Sequence, residues 1–513
     1  MAPCRLAISR CLAHDRVIFK DVWKEEALML KLSILGKGGC VLIMCLSLHA
    51  ACAATLNVPG SYGTIIDAVN AANSGDEIVV AAGTYEEADI VTFTKPDVTL
   101  TGSGSVVLHG PAAADSLAFI NPGVTGIIIN NIKFERLSAN NDWMRCVALH
   151  GASSATMSNC TFTGPANGVG IIVFYGASVS LSGCTFLNFN PISSWAAAIF
   201  LEGHDDSSPK SNIIVENCTF DTGCNGWIKT YNGGNWVKIG EVTVRNSTFK
   251  ASNNPHAIEF IDGGNLAIQY DNTKDLLFED CTFEGTLLEV AEFHYTNGGG
   301  PKSLTFRRCN FKAYNSLRKM LWLDLPCPVK FENCLFGGGQ NESIMWIWGG
   351  PPTVDFHHCT FITDGILGTT SSTGTDQSTF IGGWDSGRTF NVTNCLFYSP
   401  VNYSPGFVGD PGSSANRNYN VSYSIIDHPT PVGDHAQITP GPGYSNVSLA
   451  SAFVDPGARD YHITESEPWA NGGTDLGYSL DLNGDPRVQG GIPDMGAYES
   501  AYAPSSVDCW SLY

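Results

Sequence analysis

The chain has 513 residues, of which 43% are hydrophobic and 15% charged, and its 49 acidic and 28 basic residues give a formal net charge of -21. This acidic balance argues against nucleic acid or an anionic membrane surface as a partner, and it disfavours polyanionic ligands unless calcium or a local basic patch compensates. Abundant glycine and aromatic residues beside few charges favour strands and tight turns over surface helices.

The first predicted element is an export signal over residues 1–53, with Met29 as the hypothesised start of translation. Two lysines follow Met29, and an apolar run at residues 40–46 then leads to an A-x-A cleavage motif that ends at Ala53. The apolar run is too short to form a stable membrane span. We therefore expect a secreted or cell-surface protein without a membrane span.

An N-terminal cap and the first coils of the fold are predicted over residues 54–125. Thr64 opens a segment that resembles a capping box, and Ile65, Val69 and Ala72 follow at helical spacing. The sequence thus predicts a short amphipathic helix ahead of the first strands.

A short phrase, mostly Asn-Cys-Thr-Phe, recurs ten times over residues 126–400. Its copies end at Phe134, Phe162, Phe186, Phe220, Phe249, Phe283, Phe311, Phe336, Phe361 and Phe397. The intervals between them are 28, 24, 34, 29, 34, 28, 25, 25 and 36 residues. Such intervals indicate solenoid coils in which one bend is constant while the loops differ in length.

The chemistry of the phrase predicts how each coil is built. Cys and Phe are two residues apart and share one strand face, which we expect to point inward, while the residue between them points outward. The residue before Cys is mostly Asn, Gly or Asp, which tolerate positive φ, so a left-handed bend is expected there; Arg308 and His358 depart from this pattern. Ser247 and Ile132 replace Cys without changing the phrase, so the cysteines are interpreted as small buried residues rather than disulfide partners.

These elements predict an all-β fold, a right-handed parallel β-helix (solenoid) with a short N-terminal capping helix. Residues 401–500 are assigned to the last coils and a C-terminal capping module, and residues 501–513 to a tail. Stacked coils place like residues about 4.8 Å apart, so the phenylalanines and the cysteines should form internal ladders.

Two regions resemble known families. The N-terminal region is similar to that of the pectate-lyase and pectinesterase-like β-helix superfamily at LNVPG (56–60), IIDAV (65–69), GDEIVV (75–80) and GTY (83–85). The C-terminal region resembles the terminal module of secreted bacterial β-helix proteins with a choice-of-anchor Q ending at NVSYSII (420–426), FVDP (453–456), DYHI (460–463), DLNGDPR (481–487) and DMGAYE (494–499). The resemblance implies a secreted bacterial solenoid, often near polysaccharide metabolism, and it implies no particular reaction.

Candidate site residues lie on the strand that follows each phrase, at positions that alternation turns outward. The predicted catalytic residues are Glu259, Glu292 and Lys229, and the predicted substrate-binding residues are Glu202, Tyr231, His294, Trp322, Asp324, Trp346 and Trp348. Aromatic faces stack on pyranose rings and carboxylates accept bonds from sugar hydroxyls, so this pattern suits a glycan. A register slip of one residue would turn these side chains inward.

The spacing of the coils sets the chemistry open to these groups. Carboxylates on neighbouring coils would be about 5 Å apart and on alternate coils about 10 Å, which brackets the separations in retaining and inverting glycosidases. Glu259 and Glu292 are the predicted pair, whereas Lys229 would be the base of a β-elimination. The structural alternative is that Lys229 and Glu259 form a cross-coil salt bridge and that the tryptophans only cover the sheet.

We therefore expect an extracellular, monomeric β-helix that interacts with a polysaccharide or cell-surface glycan, as a glycoside hydrolase or polysaccharide lyase. The alternative is a non-catalytic surface or adhesive solenoid, which the missing catalytic motifs of related lyases and hydrolases favour. The sequence names no cofactor and predicts no metal site, but it leaves calcium open at Asp481-x-Asn483-x-Asp485. Ile492 stands where a calcium loop needs its last carboxylate, so a capping turn is the favoured interpretation.

Overall fold

In the computed structural model, the chain forms one compact unit from Ala53 onward. It describes residues 53–137, 144–164, 168–189, 196–203, 209–221, 226–231, 237–251, 256–260, 268–285, 290–293, 300–312, 320–337, 344–347, 352–362, 380–383, 388–399, 408–409, 417–427, 436–465, 468–489 and 491–500.

The chain forms a right-handed parallel β-helix, as the sequence predicts. Among the described residues, most coils contribute a strand before the bend and a strand after it to a first sheet of 26 strands, and a further strand to a second sheet of 12 strands. Strands pair in parallel with the coil before and the coil after, so Ser178–Ser182 lies between Ser154–Ser158 and Ser211–Glu216. Like positions of successive coils therefore stack along the helix axis.

Strands before the bend are Thr55–Val58, Ser154–Ser158, Ser178–Ser182, Ser211–Glu216, Val237–Arg245, Ile268–Tyr270, Asp275–Glu279, Ser303–Arg307, Val329–Glu332, Thr353–His357, Thr389–Thr393, Arg417–Ser422 and Ala436–Pro440. Three longer strands, Glu77–Glu86, Thr99–His109 and Ile127–Glu135, run through the position of the bend. Strands after the bend are Thr161–Thr163, Thr185–Leu187, Thr219–Asp221, Thr248–Ala251, Thr282–Gly285, Asn310–Lys312, Leu335–Gly337, Thr360–Ile362, Leu396–Tyr398 and Ile425–Asp427.

The strands of the second sheet are Val91–Phe93, Ser116–Ile120, Arg145–Leu149, Val169–Phe174, Ala197–Glu202, Gly226–Tyr231, His256–Phe260, Ala291–Phe293, Leu321–Leu323, Met345–Ile347, Ile381–Gly383 and Val408–Gly409. An antiparallel pair near the C-terminus, Phe453–Asp455 and Asp460–Ile463, encloses a short 3₁₀ turn at Pro456–Ala458.

The bend is left-handed at the residue before each Cys, as expected. Asn217, for example, has a φ of 55°. Arg308 and His358, which depart from the Asn, Gly or Asp pattern of the bend, adopt the same conformation, with φ of 48° and 53°. Side-chain contacts compensate, because the Arg308 guanidinium donates to Asp280 at 2.6 Å and Asn394 Nδ2 donates to His358 Nε2 at 2.8 Å.

The predicted internal ladders are confirmed. Stacked phenylalanine rings at the end of the phrase have centroids 4.4 to 5.4 Å apart along the axis. The ten described cysteines from Cys146 to Cys395 are free and buried. Cys309 Sγ, for example, donates to the carbonyl oxygen of Phe278 on the preceding coil at 3.3 Å, and burial raises the pKa of this thiol. The thiols therefore serve as small packing groups.

The N-terminal end of the stack is covered by the predicted helix, α1, over Ile65–Ala71. Thr64 caps it by accepting a bond from the Asp67 N–H at 3.1 Å. The carboxylate of Glu87 accepts bonds from the N–H groups of Ile65 and Ile66 at 2.8 and 3.3 Å, where the helix N-terminus favours negative charge.

Alternating charges run along the first sheet just before the bend. Glu216, Arg245, Glu279, Arg307 and Glu332 stand at this position on successive coils, and neighbouring side chains approach within 3.4, 3.0, 3.2 and 2.6 Å. Each inner residue of the series thus meets opposite charge on both sides.

The C-terminal segment covers the outer face of the last strands after the bend. Its Phe453, Trp469 and Met495 form one buried cluster with Leu335 and Leu396 of the coils. Leu335 and Leu396 occupy the position where Thr stands in most earlier coils. Leucine replaces threonine at these two positions because the C-terminal segment packs on them there.

A buried arginine organises the covering segment. Arg487 is 1% exposed, lies 3.0 Å from a Glu499 carboxylate oxygen and donates to the carbonyl oxygens of Asp494 and Gly496 at 2.7 Å each. Burial raises the pKa of Glu499 to about 8, although the charge of Arg487 opposes this. The segment around Arg487 is therefore held together by a buried ion pair and by hydrogen bonds to its own backbone.

The region resembling a calcium loop forms a turn that is held by the side chain of Asp481. One carboxylate oxygen of Asp481 accepts the N–H groups of Asn483 and Asp485, both at 2.9 Å, and the other accepts the N–H of Glu499 at 2.9 Å. Asp481 is fully buried, and its burial raises the pKa of the carboxyl group. Both oxygens are thus used by the backbone of the turn.

Among the described residues, no helix has the length and apolarity that a bilayer crossing requires.

Candidate functional site

The second sheet presents one outward position per coil at which successive strands pair in register. We call this series the outer row: Phe119, Ala148, Ile172, Phe200, Lys229, Glu259, Glu292, Trp322 and Trp346. Five predicted site residues, from Lys229 to Trp346, therefore occupy one position on five consecutive strands.

The residues beside the outer row show which way it points. Phe293, the neighbour of Glu292, packs inside the coil against Phe278 and Phe306 with ring-centroid distances of 6.0 and 6.3 Å. Ile228, beside Lys229, also belongs to the interior core. Since side chains alternate along a strand, Lys229 and Glu292 point outward, in the direction that the sequence predicts for these two residues.

Outward orientation does not mean exposure here. Lys229 is 6% exposed, Glu292 8% and Trp346 4%, whereas Trp322 is only partly buried. Glu202, two residues beyond the outer row on the same side, is 7% exposed. These groups are therefore largely buried although they face outward, which sequence alternation could not reveal.

The remaining predicted residues are only partly placed. Asp324 follows Trp322 on the same side and is partly buried. Tyr231 pairs in register with Glu202. The side chains of Tyr231 and Glu259, and the whole of His294 and Trp348, lie outside the described residues, so their predicted roles stay predictions.

Sequence reasoning missed an apolar group on the N-terminal half of the same face. Ala148, Ile172, Phe174 and Phe200 are buried together there, outside the coil, and Phe119 packs against them. The sequence does place Ile172 and Phe200 at the position of Lys229 on neighbouring strands. However, a strand with hydrophobic residues on both faces looks like one continuous buried segment, so the outer group could not be told from the core.

A partly buried cation adjoins this apolar group. The Arg145 guanidinium carbon lies 5.1 Å from the centroid of the Phe174 ring. Burial lowers the pKa of Arg145, while the nearby charges of Asp115 and Glu202 oppose the shift. The outer face thus carries both signs of charge, with Arg145 and Lys229 set among carboxylates.

No group of three or more His, Cys, Asp or Glu placed to hold a metal ion occurs in the part of the chain that the structure describes.

Comparison with known proteins agrees with the fold. The family described as the right handed beta helix region matches residues 91–264. No curated protein matches the chain.

Several solved structures share the architecture at low identity. A mannuronic acid specific polysaccharide family 6 lyase from human gut microbiota is 11% identical over 75% of this chain and 83% of its own, with a TM-score of 0.39. Pectate lyase Pel9A is 12% identical over 87% and 96%, with a TM-score of 0.34. The family 28 exopolygalacturonase of Yersinia enterocolitica is 9% identical over 77% and 80%, with a TM-score of 0.33. At such distances the likeness carries no argument about the reaction of this chain.

Proposed function

We propose that the outer row binds a polysaccharide or cell-surface glycan along the helix axis, and that Glu259 and Glu292 hydrolyse it. The observation that supports this is the register itself, which brings one lysine, two glutamates and two tryptophans to the same position on consecutive strands. Lys229 and Glu292 are both less than a tenth exposed in this row, and both interact with neighbouring groups.

The strand spacing favours a retaining mechanism. Glu259 and Glu292 are direct neighbours across paired strands, which lie about 4.8 Å apart, close to the separation of about 5 to 5.5 Å in retaining glycosidases. One carboxylate would attack the anomeric carbon while the other carboxyl group gives its proton to the departing glycosidic oxygen. Water would then cleave the glycosyl-enzyme bond and return a proton to the second group.

Lys229 supports a second reaction class. It pairs in register with Glu259, and an amine at this point could remove a proton from a uronate in a β-elimination. The carboxylates around it would repel such a substrate, so elimination requires calcium or the positive charge of Arg145 to compensate. A neutral glycan and hydrolysis therefore agree better with the charges of the outer row.

The non-catalytic alternative has its own support. Lys229, Glu292 and Trp346 are nearly fully buried, which is how a cross-coil salt bridge and a covered sheet would look. In that case the protein would be a surface or adhesive solenoid.

Substitutions in the outer row separate these possibilities. Glu259→Gln and Glu292→Gln should abolish release of reducing ends while binding is retained, because an amide keeps the shape but cannot exchange a proton. If the reaction is elimination, Lys229→Ala should abolish activity, measured as the ultraviolet absorbance of the unsaturated product. Trp322→Ala and Trp346→Ala should weaken binding in both cases.

The control is to screen the unmodified protein for binding to neutral and uronic glycans, with and without calcium. If none binds the unmodified protein, the outer row is only covered surface and the adhesive alternative holds.

We also infer that the protein is exported, with cleavage after Ala53, acts outside the cell as a monomer and ends in a choice-of-anchor Q type module. The A-x-A motif supports the export signal, and the C-terminal motifs support the terminal module. N-terminal sequencing of the secreted form should begin at Ala54, and a peptide from residues 1–28 in the precursor would contradict a start at Met29.

A further inference from the structure

Four aromatic rings cluster outside the coil near the N-terminal end of the outer row. The ring of His150 lies 6.0 Å from Phe119, 5.3 Å from Phe174 and 4.7 Å from Tyr175, measured between centroids. Phe119, His150 and Tyr175 are partly exposed. We call this group the aromatic platform. Single exposed aromatic residues are common on proteins, but contiguous ones mark binding surfaces.

The aromatic platform lies on the same face as the proposed glycan site. Phe119 is itself the first member of the outer row, and Lys229 stands four strand spacings further along it. Four spacings of about 4.8 Å correspond to about 19 Å. Trp322 stands three strands beyond Lys229, so aromatic residues flank the charged section on both sides.

The backbone of Tyr175 is unusual for its residue type. Its φ is 51°, a left-handed conformation that favours Gly or Asn and disfavours a bulky side chain. Gly151 stands at the equivalent place on the preceding coil, since Leu149 pairs with Val173 and Ser154 with Ser178. Tyr175 thus adopts a strained conformation at a position where the preceding coil has glycine. This strain indicates that the ring of Tyr175 has a role.

Charge around the platform is balanced. The guanidinium of Arg145 lies under the Phe174 ring, with its carbon 5.1 Å from the centroid, and is close enough to Glu202 for their charges to interact. A ring supported in this way is held in orientation, and the half-exposed rings beside it offer flat apolar faces next to polar groups. Pyranose rings have the matching combination of an apolar face and a hydroxyl rim.

We propose that the aromatic platform is a second contact for the same glycan, so that the natural ligand is an extended polymer lying along the helix axis and not a short oligosaccharide. This inference rests on the proposed function of the outer row. Two contacts on one ligand make the second binding step intramolecular, so affinity rises once the ligand is long enough to reach both.

The test uses size-fractionated oligosaccharides of cellulose, as a neutral glycan, and of alginate, as a uronate glycan. Affinity of the unmodified full-length protein should step upward when an oligomer becomes long enough to span from Lys229 to Phe119. Tyr175→Asn should remove that step, a loss of about tenfold for long oligomers, and leave short ones unchanged. Because Asn tolerates the left-handed conformation, the melting temperature should not fall.

Tyr423→Asn is the matched control. Tyr423 has a φ of 46° but packs against the C-terminal cover, away from the second sheet, so this variant should bind oligomers of every length like the unmodified protein. Phe119→Leu, which keeps an apolar side chain but removes the ring, should reproduce the loss seen with Tyr175→Asn.

The outcomes are distinguishable. If long oligomers bind equally well to the unmodified protein and to both platform variants, the second contact is wrong while the proposed function stands. A fall in melting temperature with Tyr175→Asn would make the ring a packing element and also overturn the inference. If neither glycan series binds the unmodified protein, the proposed function and the second contact fail together.

Discussion

At the scale of single residues, the fold depends on one backbone position per coil that must be left-handed. Asn or Gly meets this need locally, whereas Arg308 and His358 meet it through hydrogen bonds to neighbouring coils and to the C-terminal cover. A left-handed conformation costs an ordinary residue about 1 to 2 kcal/mol, which is within the range that such charged or buried hydrogen bonds can offset. Residue type therefore predicts the bend in most coils, and in the other coils tertiary contacts stabilise the left-handed conformation.

The two faces of the phrase should differ sharply in their effect on stability. Phe283 is fully buried between Phe249 and Phe311, with ring centroids 4.9 and 5.1 Å away, whereas Thr282 points outward. Phe283→Ala should lower the free energy of unfolding by about 3 to 5 kcal/mol, and Thr282→Ala by less than about 0.5 kcal/mol. Chemical denaturation followed by circular dichroism measures both, and equal losses would mean that the faces are reversed.

At the scale of elements, polar contacts between coils fasten the ends of paired strands. His109 ends its strand between Glu86 on the coil before and Glu135 on the coil after, at 2.6 and 3.0 Å. With a carboxylate at each ring nitrogen, the doubly protonated imidazolium is the favoured form. Burial would lower the pKa of His109, but the hydrogen bonds to Glu135 and Glu86 outweigh it and the pKa is raised.

The raised pKa of His109 predicts a pH-dependent contribution to stability. The group gains protons on folding, so its contribution is complete below the unfolded pKa of 6.5 and is lost as pH rises through the folded pKa. The unmodified protein should therefore exceed His109→Gln in melting temperature in weak acid, and the difference should shrink in alkaline buffer. A difference that stays constant from weak acid to alkaline pH would contradict the ion pairs.

At the scale of the whole molecule, the stack needs different protection at its two ends. The helix α1 closes the first coil, and the segment around Arg487 covers the outer face of the last ones. That segment gains its order from a buried arginine and three acidic residues, Asp481, Asp494 and Glu499. Removal of the cation would leave their carboxylates buried without compensation.

Arg487→Met should therefore release the cover from the coils. We expect a loss of about 3 to 5 kcal/mol at alkaline pH, and a smaller loss in acid, because protonation of Glu499 removes one of the stranded charges. Limited proteolysis should then cut within residues 449–500 while the coils resist. Lys302→Met, which removes an exposed partner of Asp275, is the control and should change neither measurement appreciably.

The repeated features of the coils could be predicted from the sequence, whereas the burial of the outward side chains could not. The bend, the Phe and Cys ladders, the helix capped by Thr64 and the register of Lys229, Glu292 and Trp322 all follow from spacing and alternation. The burial of Lys229 and Glu292 could not be predicted, because alternation gives direction and not what lies above a side chain. The aromatic platform could not be predicted either, because its residues come from three coils and are not adjacent in the sequence.

The unequal coil lengths have a mechanical consequence. Because the described strands of each coil pair with those of the coils before and after it, a molecule pulled by its two termini should peel from an end, one coil at a time. Every rupture then releases the contour length of one coil, from 24 to 36 residues between successive phenylalanines, or about 80 to 125 Å of extended chain. In a single-molecule force trace the order of long and short steps would show which terminus yields first.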